Sequence, residues 1–293
     1  MIRKLAVASL LLLPLTAFAN EPQCKFNEPR DLKLDLAGAK AVVFEVNQHD
    51  LVLQAGPGTA QLGGRACASN ADWLRQLTVT QQKVGDKLVV RLQREGRSLS
   101  MSGNSYAYLD LRGTVPDTIL VQMKVGSGDA SVTGAHSLSA DVGSGDIKLE
   151  NVKGLVTAAV GSGDVTLDGA GALNVLSVGS GDFKARNVRG DAKVGTIGSG
   201  DFELDMVGGN VEIGVVGSGD TDVRQAKGSV RVGTVGSGDT ELRDIGGSVT
   251  VDRHGSGDVT VRDVGGDLRV ANSGSGDIRH SNVRGRVELP RGK

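Results

Sequence analysis

Apolar and polar positions alternate along residues 126–293 in short runs that return at a nearly constant interval. In a typical run the first and third residues are apolar, as in Phe202 and Leu204, and the residue between them is polar, as in Glu203. A period of two is typical of a half-buried β-strand, because successive side chains of a strand point to opposite faces. Helical spacing fits none of these runs. The pattern therefore predicts short strands throughout this part of the chain.

The tetrapeptide Gly-Ser-Gly-Asp (GSGD) stands before each run and marks a repeated turn. A second glycine turn follows eight positions after most of the aspartates, as at Gly209 and Gly228. A fixed period near twenty residues indicates a solenoid in which each repeat is one coil. We therefore expect an all-β fold, a single-stranded, parallel, right-handed β-helix or β-solenoid. The nine GSGD copies are spaced by 17, 18, 18 and then five times 19 residues and begin at Gly126, Gly143, Gly161, Gly179, Gly198, Gly217, Gly236, Gly255 and Gly274.

The first nineteen residues have the parts of a secretory signal peptide: Arg3 and Lys4, an apolar run over 5–15, and small residues before a cleavage site after Ala19. The apolar run is too short to span a bilayer in the mature protein. Cys24 lies too far beyond the cleavage site to carry a lipoprotein anchor. We expect a protein that is periplasmic or secreted.

Residues 20–125 alternate less regularly and are predicted to form an irregular β-rich cap over the N-terminal edge of the solenoid, because an open edge recruits other strands. Strands are expected at 41–46, 51–54, 87–92 and 106–111. The segment 47–50, Asn-Gln-His-Asp, resembles a degenerate GSGD corner. One helix is predicted over 69–77, with Ser69 and Asp72 spaced as a capping box. The chain thus divides into a signal peptide (1–19), a cap (20–125) and a nine-coil solenoid (126–293).

Both cysteines, Cys24 and Cys67, lie in the predicted cap. An oxidising compartment allows them to pair, so we expect one disulfide. The alternative is a metal or redox site with two free thiols. The sequence has no CxxC motif and no histidine cluster to support that alternative.

Charge and motifs argue against two broad classes of function. Two of the 33 basic residues lie in the signal peptide, which leaves 31 basic against 34 acidic side chains and argues against a nucleic-acid partner. The repeat serines lack the GxSxG spacing of a hydrolase nucleophile, and no phosphate-binding glycine motif occurs. We expect no enzyme activity. A polysaccharide-active β-helix enzyme, the alternative, needs a unique cluster of acids and bases that a repetitive face does not offer.

The repeat aspartates are the candidate site residues, and two roles are open to them. Calcium-binding repeats of secreted toxins supply Asp from two turns per coil on a nine-residue period, whereas this chain has one Asp per coil. We favour a structural ladder in which each Asp accepts hydrogen bonds from nearby backbone N–H groups in an Asx-type turn, while the glycines adopt positive φ. We predict no cofactor and keep calcium as a minor hypothesis. The nine are Asp129, Asp146, Asp164, Asp182, Asp201, Asp220, Asp239, Asp258 and Asp277.

Charged residues at outward positions are expected to stack from coil to coil. Lys184 is predicted to lie beside Glu203, and Arg186 beside Asp205 and Arg224. Ion pairs across neighbouring strands at a surface stabilise little each. A charged, solvated face is therefore the simplest interpretation of this pattern.

The repeat resembles the bacterial β-strand-repeat putative adhesins of unknown function, which are related to the head GIN domain of putative autotransporter adhesins. The resemblance rests on the recurring VGSGD, as at 125–129 and 216–220, and on the segment from Tyr108 to Pro116 that leads into the first coil. It covers residues 30 to 290 approximately and implies a solenoid with no catalytic residues to carry over.

We therefore expect a non-enzymatic, exported, adhesin-like or scaffold protein whose partner is an envelope protein or a polysaccharide. The alternative is an envelope protein that assembles with itself, end to end, through the last coil near Val287 and Leu289.

Overall fold

The computed structural model describes residues 24–96 and 105–290. The predicted signal peptide, 1–19, lies outside these residues. In the described residues the fold is all-β apart from one short helix, and parallel strands stack into a solenoid of about nine turns with about 19 residues each. This confirms the fold class that the GSGD period predicts. The right hand of the solenoid stays a prediction.

The N-terminal part of the described chain contains eight strands and the helix. All four strands expected from the sequence are present here, each within a few residues of its predicted bounds. The elements are β1 (Phe26–Pro29), β2 (Leu32–Lys33), β3 (Ala41–Asn47), β4 (Asp50–Ala55), β5 (Gln61–Ala68), α1 (Ala71–Leu74), β6 (Leu77–Val84), β7 (Lys87–Arg94) and β8 (Ala107–Val115).

The repeat region contributes nineteen strands, two for each complete coil. They are β9 (Leu120–Val125), β10 (Ala130–Thr133), β11 (Ser137–Val142), β12 (Ile147–Glu150), β13 (Leu155–Val160), β14 (Val165–Ala170), β15 (Ala172–Val178), β16 (Phe183–Val188), β17 (Ala192–Ile197), β18 (Phe202–Val207), β19 (Val211–Val216), β20 (Thr221–Ala226), β21 (Val230–Val235), β22 (Thr240–Ile245), β23 (Val249–His254), β24 (Val259–Val264), β25 (Leu268–Val270), β26 (Ile278–Val283) and β27 (Val287–Glu288).

These strands form two sheets with the core between them. Sheet A has 14 strands and contains β4 and the even-numbered strands from β10 to β26, whereas sheet B has 13 strands and contains β3 and the odd-numbered strands from β9 to β27. Each GSGD corner leads from sheet B to sheet A, and the second corner of the coil leads back. Every coil therefore has two faces, one on each sheet.

The coil made of β3 and β4 does not stack in chain order. It lies between the coil of β7 and β8 and the coil of β9 and β10. Leu51 of β4 pairs with Ala130 of β10, and the carbonyl of Asn47 accepts the N–H of Ser127 at 2.7 Å. The degenerate corner at 47–50 is thus directly followed by the first GSGD corner, as its sequence predicts.

Antiparallel strands close the N-terminal end of both sheets. Strand β6 pairs antiparallel with β7 in sheet B, and β5 pairs antiparallel with β8 in sheet A. Arg30 joins the two sheets at this end, because its guanidinium donates to the carbonyls of Leu74 at 2.8 Å and Leu77 at 3.0 Å. Neither sheet offers a parallel strand edge on this side.

The predicted helix forms, but it is shorter than expected and its N-cap is a different residue. Helix α1 covers only Ala71–Leu74, and the side chain of Asn70 accepts the N–H of Asp72 at 2.9 Å. Ser69 instead bonds to the backbone of Tyr106, so the predicted capping box of Ser69 and Asp72 is wrong. Asn is as good an N-cap as Ser, and Asn70 stands directly before the first helical residue, which is the N-cap position.

The inward columns form one hydrophobic core that runs from Leu34 to Val270. Phe183 and Phe202 stack on consecutive coils with their ring centroids 5.7 Å apart. The next two members of the same column are Thr221 and Thr240, which are buried and whose hydroxyls have no hydrogen-bond partner. The core is therefore continuous but is weakened by two unsatisfied hydroxyls towards its C-terminal end.

Candidate functional site

Each GSGD corner is joined to the next by its aspartate. The backbone N–H of each Asp donates to Oδ1 of the Asp in the preceding coil, and Asp50 of the degenerate corner is the first acceptor. The N–H of Asp277 and the Arg279 guanidinium hold the pKa of Asp258 below its ordinary value. The nine bonds, each written from donor to acceptor, are Asp129 to Asp50 (3.3 Å), Asp146 to Asp129 (3.3 Å), Asp164 to Asp146 (3.0 Å), Asp182 to Asp164 (2.8 Å), Asp201 to Asp182 (3.0 Å), Asp220 to Asp201 (2.9 Å), Asp239 to Asp220 (2.9 Å), Asp258 to Asp239 (2.7 Å) and Asp277 to Asp258 (2.9 Å).

This geometry corrects two details of the predicted turn. The acceptor of each N–H belongs to the neighbouring coil, so the ladder is not a set of local Asx turns. None of the GSGD glycines has a positive φ. A Cβ on Gly217 would lie 2.6 Å from the carbonyl oxygen of Gly198, and a Cβ on Gly219 would overlap the carbonyl oxygen of Gly200. The glycines are required because consecutive corners approach so closely.

His49 occupies the place of the second glycine in the degenerate corner. Its side chain is fully buried, and Nδ1 accepts the N–H of Leu109 at 3.3 Å while Nε2 has no partner. Burial lowers the pKa of His49 to about 4, and the charge of Arg94 adds to this effect. His49 is therefore neutral at physiological pH.

A second ladder follows the other corner of the later coils, and the sequence analysis did not find it. Here Asp, Asn or Ser stands directly after the corner glycine and accepts the N–H of the equivalent residue one coil later. The recurrence of short acceptor side chains at this position was the signal that could have revealed it. The bonds, from donor to acceptor, are Asn210 to Asp191 (2.7 Å), Ser229 to Asn210 (2.9 Å), Ser248 to Ser229 (3.1 Å), Asp267 to Ser248 (3.0 Å) and Arg286 to Asp267 (2.7 Å).

Beside this second corner the backbone turns through the left-handed region once per coil. Asn and Asp tolerate that conformation better than other residues with side chains, and most of the column is made of them. Met206 and Gln225 are the exceptions. The non-glycine members of this column are Asn151 (φ 54°), Asn187 (61°), Met206 (57°), Gln225 (55°), Asp244 (57°), Asp263 (56°) and Asn282 (53°).

An open groove, here called the lateral groove, runs along the solenoid beside this column. It consists of two adjoining segments of about 630 and 670 Å³ that share Asp244 and Gly246. One wall is the left-handed column from Asn187 to Asn282. The other wall is the residue column that begins the second corner, and in it glycines leave notches between the charged side chains. This second wall is formed by Arg189, Gly208, Lys227, Gly246, Gly265 and Arg284.

The comparisons with known proteins agree with the resemblance stated from the sequence. Residues 172–283 match the sequence model of the family described as putative auto-transporter adhesin, head GIN domain. The region contains the left-handed wall of the lateral groove from Asn187 to Asn282. No curated protein matches the chain in sequence.

Solved structures with a similar fold are known. A putative adhesin from Parabacteroides distasonis is similar with a TM-score of 0.51 at 15% identity, over 87% of this chain and 97% of that one. A putative lipid binding protein from the same species has a TM-score of 0.47 at 15% identity, over 88% and 97% of the two chains. A putative adhesin from Parabacteroides merdae has a TM-score of 0.42 at 10% identity, over 88% and 97%. The likeness to the first of these is one of fold.

The outward face of sheet A carries ion pairs, but their partners differ from the predicted ones. The predicted register is right, since Lys184 lies beside Glu203 in neighbouring strands. Among the described residues, however, Arg186 pairs with Asp168 of the preceding coil at 2.7 Å, and Arg224 pairs with Asp222 of its own strand. Long side chains reach several acceptors at a surface, so register alone does not select the partner.

The disulfide between Cys24 and Cys67 is present, with the two Cα atoms 5.2 Å apart, so this prediction is confirmed. It ties the start of the described chain to β5, in the cap. Over residues 24–96 and 105–290, no three His, Cys, Asp or Glu side chains are placed to hold a metal ion together. In the same residues no helix is long and apolar enough to cross a membrane.

Two further histidines lie in the last coils of the solenoid. His254 is buried in a column that is otherwise apolar, and its Nε2 bonds to the carbonyl of Gly257 while Nδ1 has no partner. Ser273 and His280 of the next coil are exposed. The apolar interior therefore ends in the coil of β24 and β25, directly before the last GSGD corner.

Proposed function

We propose that this protein is an exported, non-enzymatic β-solenoid that works as an adhesin-like binding protein of the bacterial envelope. The observation that carries the proposal is the lateral groove, an open surface that continues over six coils of a rigid, ladder-stabilised rod. The match of residues 172–283 to an adhesin head-domain family supports the same function. The aspartate ladder then serves the framework, since each accepting Oδ1 is already bonded to the next coil.

Export is supported by the predicted signal peptide with cleavage after Ala19 and by the Cys24–Cys67 disulfide. Disulfides persist in oxidising compartments such as the periplasm and the cell exterior. Fractionation of cells, combined with N-terminal sequencing of the mature protein, tests this part. We expect a mature chain that starts at Asn20 in the periplasm or the medium. An uncleaved protein in the cytosol would contradict export.

The partner that we propose is an envelope protein or a polysaccharide, and no nucleic acid or cofactor is required. Binding to purified envelope extract, with the protein and polysaccharide fractions tested separately, is the decisive experiment. We expect one fraction to be retained and no reducing sugar ends to be released from the polysaccharides. Retention of neither fraction would contradict a binding function, and release of reducing ends would establish an enzyme instead.

Calcium has no part in the proposed function. The melting temperature should stay the same in millimolar calcium and in chelator, because every accepting Oδ1 already has an N–H donor. A rise of the melting temperature with calcium would show that the carboxylate column also binds cations.

Self-assembly is a second candidate function, and the last coil favours it. Strands β26 and β27 are the outermost strands of their sheets in the described chain. Val287 and Leu289 are 40% and 38% exposed there, whereas Leu268, which pairs with Val287 from the preceding coil, is buried. An unpaired edge with exposed apolar residues pairs readily with another chain. Light scattering over a range of concentrations tests this, and a strict monomer at all of them would rule it out.

A further inference from the structure

The left-handed column contains two residues that its backbone conformation disfavours. Met206 and Gln225 have φ values of 57° and 55°, where Asn, Asp or Gly otherwise recur. In this region Cβ approaches the following carbonyl oxygen, and Asn and Asp offset part of that cost because their short polar side chains can bond to the local backbone, which Met and Gln do less well. Strained backbone positions of this kind cluster at ligand-binding sites, where a residue is kept for its contact with the ligand although it lowers the stability of the fold.

The two exceptions are neighbours on consecutive coils, and both line the same segment of the lateral groove. Met206 is 40% exposed and is not part of the hydrophobic core, so core packing does not offset the strain. Gly208 and Gly246 leave the opposite wall open on each side of Lys227. The partly exposed apolar side chain of Met206 thus lies across the groove from a cation and two glycine gaps. Such an arrangement is typical of a binding surface.

On the second wall of the groove, the hydrogen-bond donors that remain available belong to side chains. The backbone N–H groups of Gly208, Lys227 and Gly246 are all used between coils, with donor–acceptor distances of 2.8 to 2.9 Å. The Gln225 amide, the Lys227 ammonium and the Asp244 carboxylate are left to face a ligand. Together they both donate and accept hydrogen bonds, as hydroxyl groups require.

The length of the groove indicates a linear polymer. Six coils at the spacing of hydrogen-bonded strands span about 24 Å along the axis. An extended peptide is recognised by adding to a strand edge through unpaired backbone groups. Along the second wall of this groove the backbone N–H groups are already paired between coils, so it does not offer a strand edge and fits a chain that is recognised through hydroxyl groups.

We propose that the lateral groove binds a linear polysaccharide. Met206 packs against the apolar face of one sugar ring. It takes the role that an aromatic side chain often has, because no aromatic residue lines the groove. Gln225, Lys227 and Asp244 bond to the hydroxyls of the adjoining sugars. This inference rests on the proposed binding function and names the ligand class of its groove.

The methionine methyl groups allow a direct test on the whole mature protein. With ¹³C-labelled methyl groups, Met206 is the reporter in the groove, and Met123, which is buried in the core, is the internal reference. Hexasaccharides of cellulose, starch and chitin are titrated separately, together with an extended, uncharged peptide of similar length. We expect at least one hexasaccharide to shift the Met206 signal in a saturable way and to leave Met123 unchanged. A Met206 signal that no hexasaccharide moves, or that only the peptide moves, overturns the inference.

Variants separate binding from strain. Met206→Asn suits the left-handed backbone, so we expect a higher melting temperature together with about ten-fold weaker binding of the active hexasaccharide, the equivalent of one lost apolar contact. Met206→Leu keeps the apolar contact and should keep the affinity. Val215→Asn, at an exposed apolar position on sheet B, is the matched control and should bind normally.

The outcome of these variants also separates this inference from the broader proposal. If Met206→Asn folds and retains the affinity of the unaltered protein, the groove is not the polysaccharide site. Retention of an envelope fraction by the same variant would then leave the binding function standing, with its site elsewhere on the rod.

Discussion

The backbone N–H of Asp201 donates to Oδ1 of Asp182, 3.0 Å away in the preceding coil, and Oδ1 of Asp201 accepts the N–H of Asp220 in turn. One side chain thus connects coils on both sides of it. The same bond recurs along the whole solenoid, so the conspicuous aspartate of the repeat is part of the framework of the rod.

Replacing Asp201 with Ala should lower the free energy of unfolding by about 0.5–1.5 kcal/mol, because the exposed N–H of Asp220 loses its acceptor in the neighbouring coil. Asp201→Asn keeps an acceptor oxygen and should cost much less. Urea denaturation followed by circular dichroism measures both. Equal losses for the two variants would show that the charge, rather than the hydrogen bond, stabilises the corner.

The two small residues of one corner should respond very differently to substitution. Gly219→Ala places a Cβ against the carbonyl of Gly200, so the coils would have to separate, and we expect a loss of about 3 kcal/mol. Ser218→Ala, one residue away, changes an exposed side chain and should alter stability by less than about 0.5 kcal/mol. Thermal denaturation of the pair tests the explanation. A tolerated Gly219→Ala would mean that the corners are not closely packed.

Thr240 offers a stabilising substitution. Its hydroxyl is buried without a partner, so Thr240→Val should raise the free energy of unfolding by about 1 kcal/mol. The reverse change in the same column, Val259→Thr, is the control and should lower it by a similar amount. If both variants are less stable than the unaltered protein, the Thr240 hydroxyl has a partner in solution.

His49 should make stability depend on pH. Its pKa is about 4 in the folded protein and 6.5 as the ordinary value, so between these values the unfolded chain binds the additional proton. Stability is therefore complete above about pH 6.5 and falls as the pH decreases towards 4, by roughly 3 kcal/mol.

Urea denaturation at several pH values tests this dependence. His49→Asn should remove most of the slope between about pH 6.5 and pH 4, whereas replacing the exposed His136 with Gln should leave it unchanged. An unaltered slope in His49→Asn would assign the acid sensitivity to other groups.

Much of the solenoid could be predicted because its pattern is redundant. The alternation around Phe202 and Leu204 recurs in every coil, and with a fixed period only one register places all apolar residues inside. The paired cysteines were equally predictable from their compartment and number. The second ladder at Asp191, Asn210 and Ser229 also follows the period of the repeat. The glycines beside these residues predicted the turn but not the hydrogen bonds between coils.

Other features depend on distances that no local pattern carries. Gly219 is required because the corner 19 residues earlier lies too close for a Cβ. The sequence shows the spacing of 19 residues but not how closely the two corners approach. The choice of Asp168 as the partner of Arg186 follows from the reach of a flexible side chain. The strain at Met206 became visible once its φ was known, since Met is ordinary at an exposed strand position.

The amino-acid pattern was thus sufficient for the class of fold, the inward columns and the period of the GSGD coils, because these follow from periodic burial of apolar side chains. Folding in three dimensions settled the rest. It placed the coil of β3 and β4 between two coils that are distant in the chain, and it brought Met206, Lys227 and Asp244 onto one groove. Both results arise from the stacking of coils, which brings residues 19 or more positions apart into contact and which no single stretch of sequence describes.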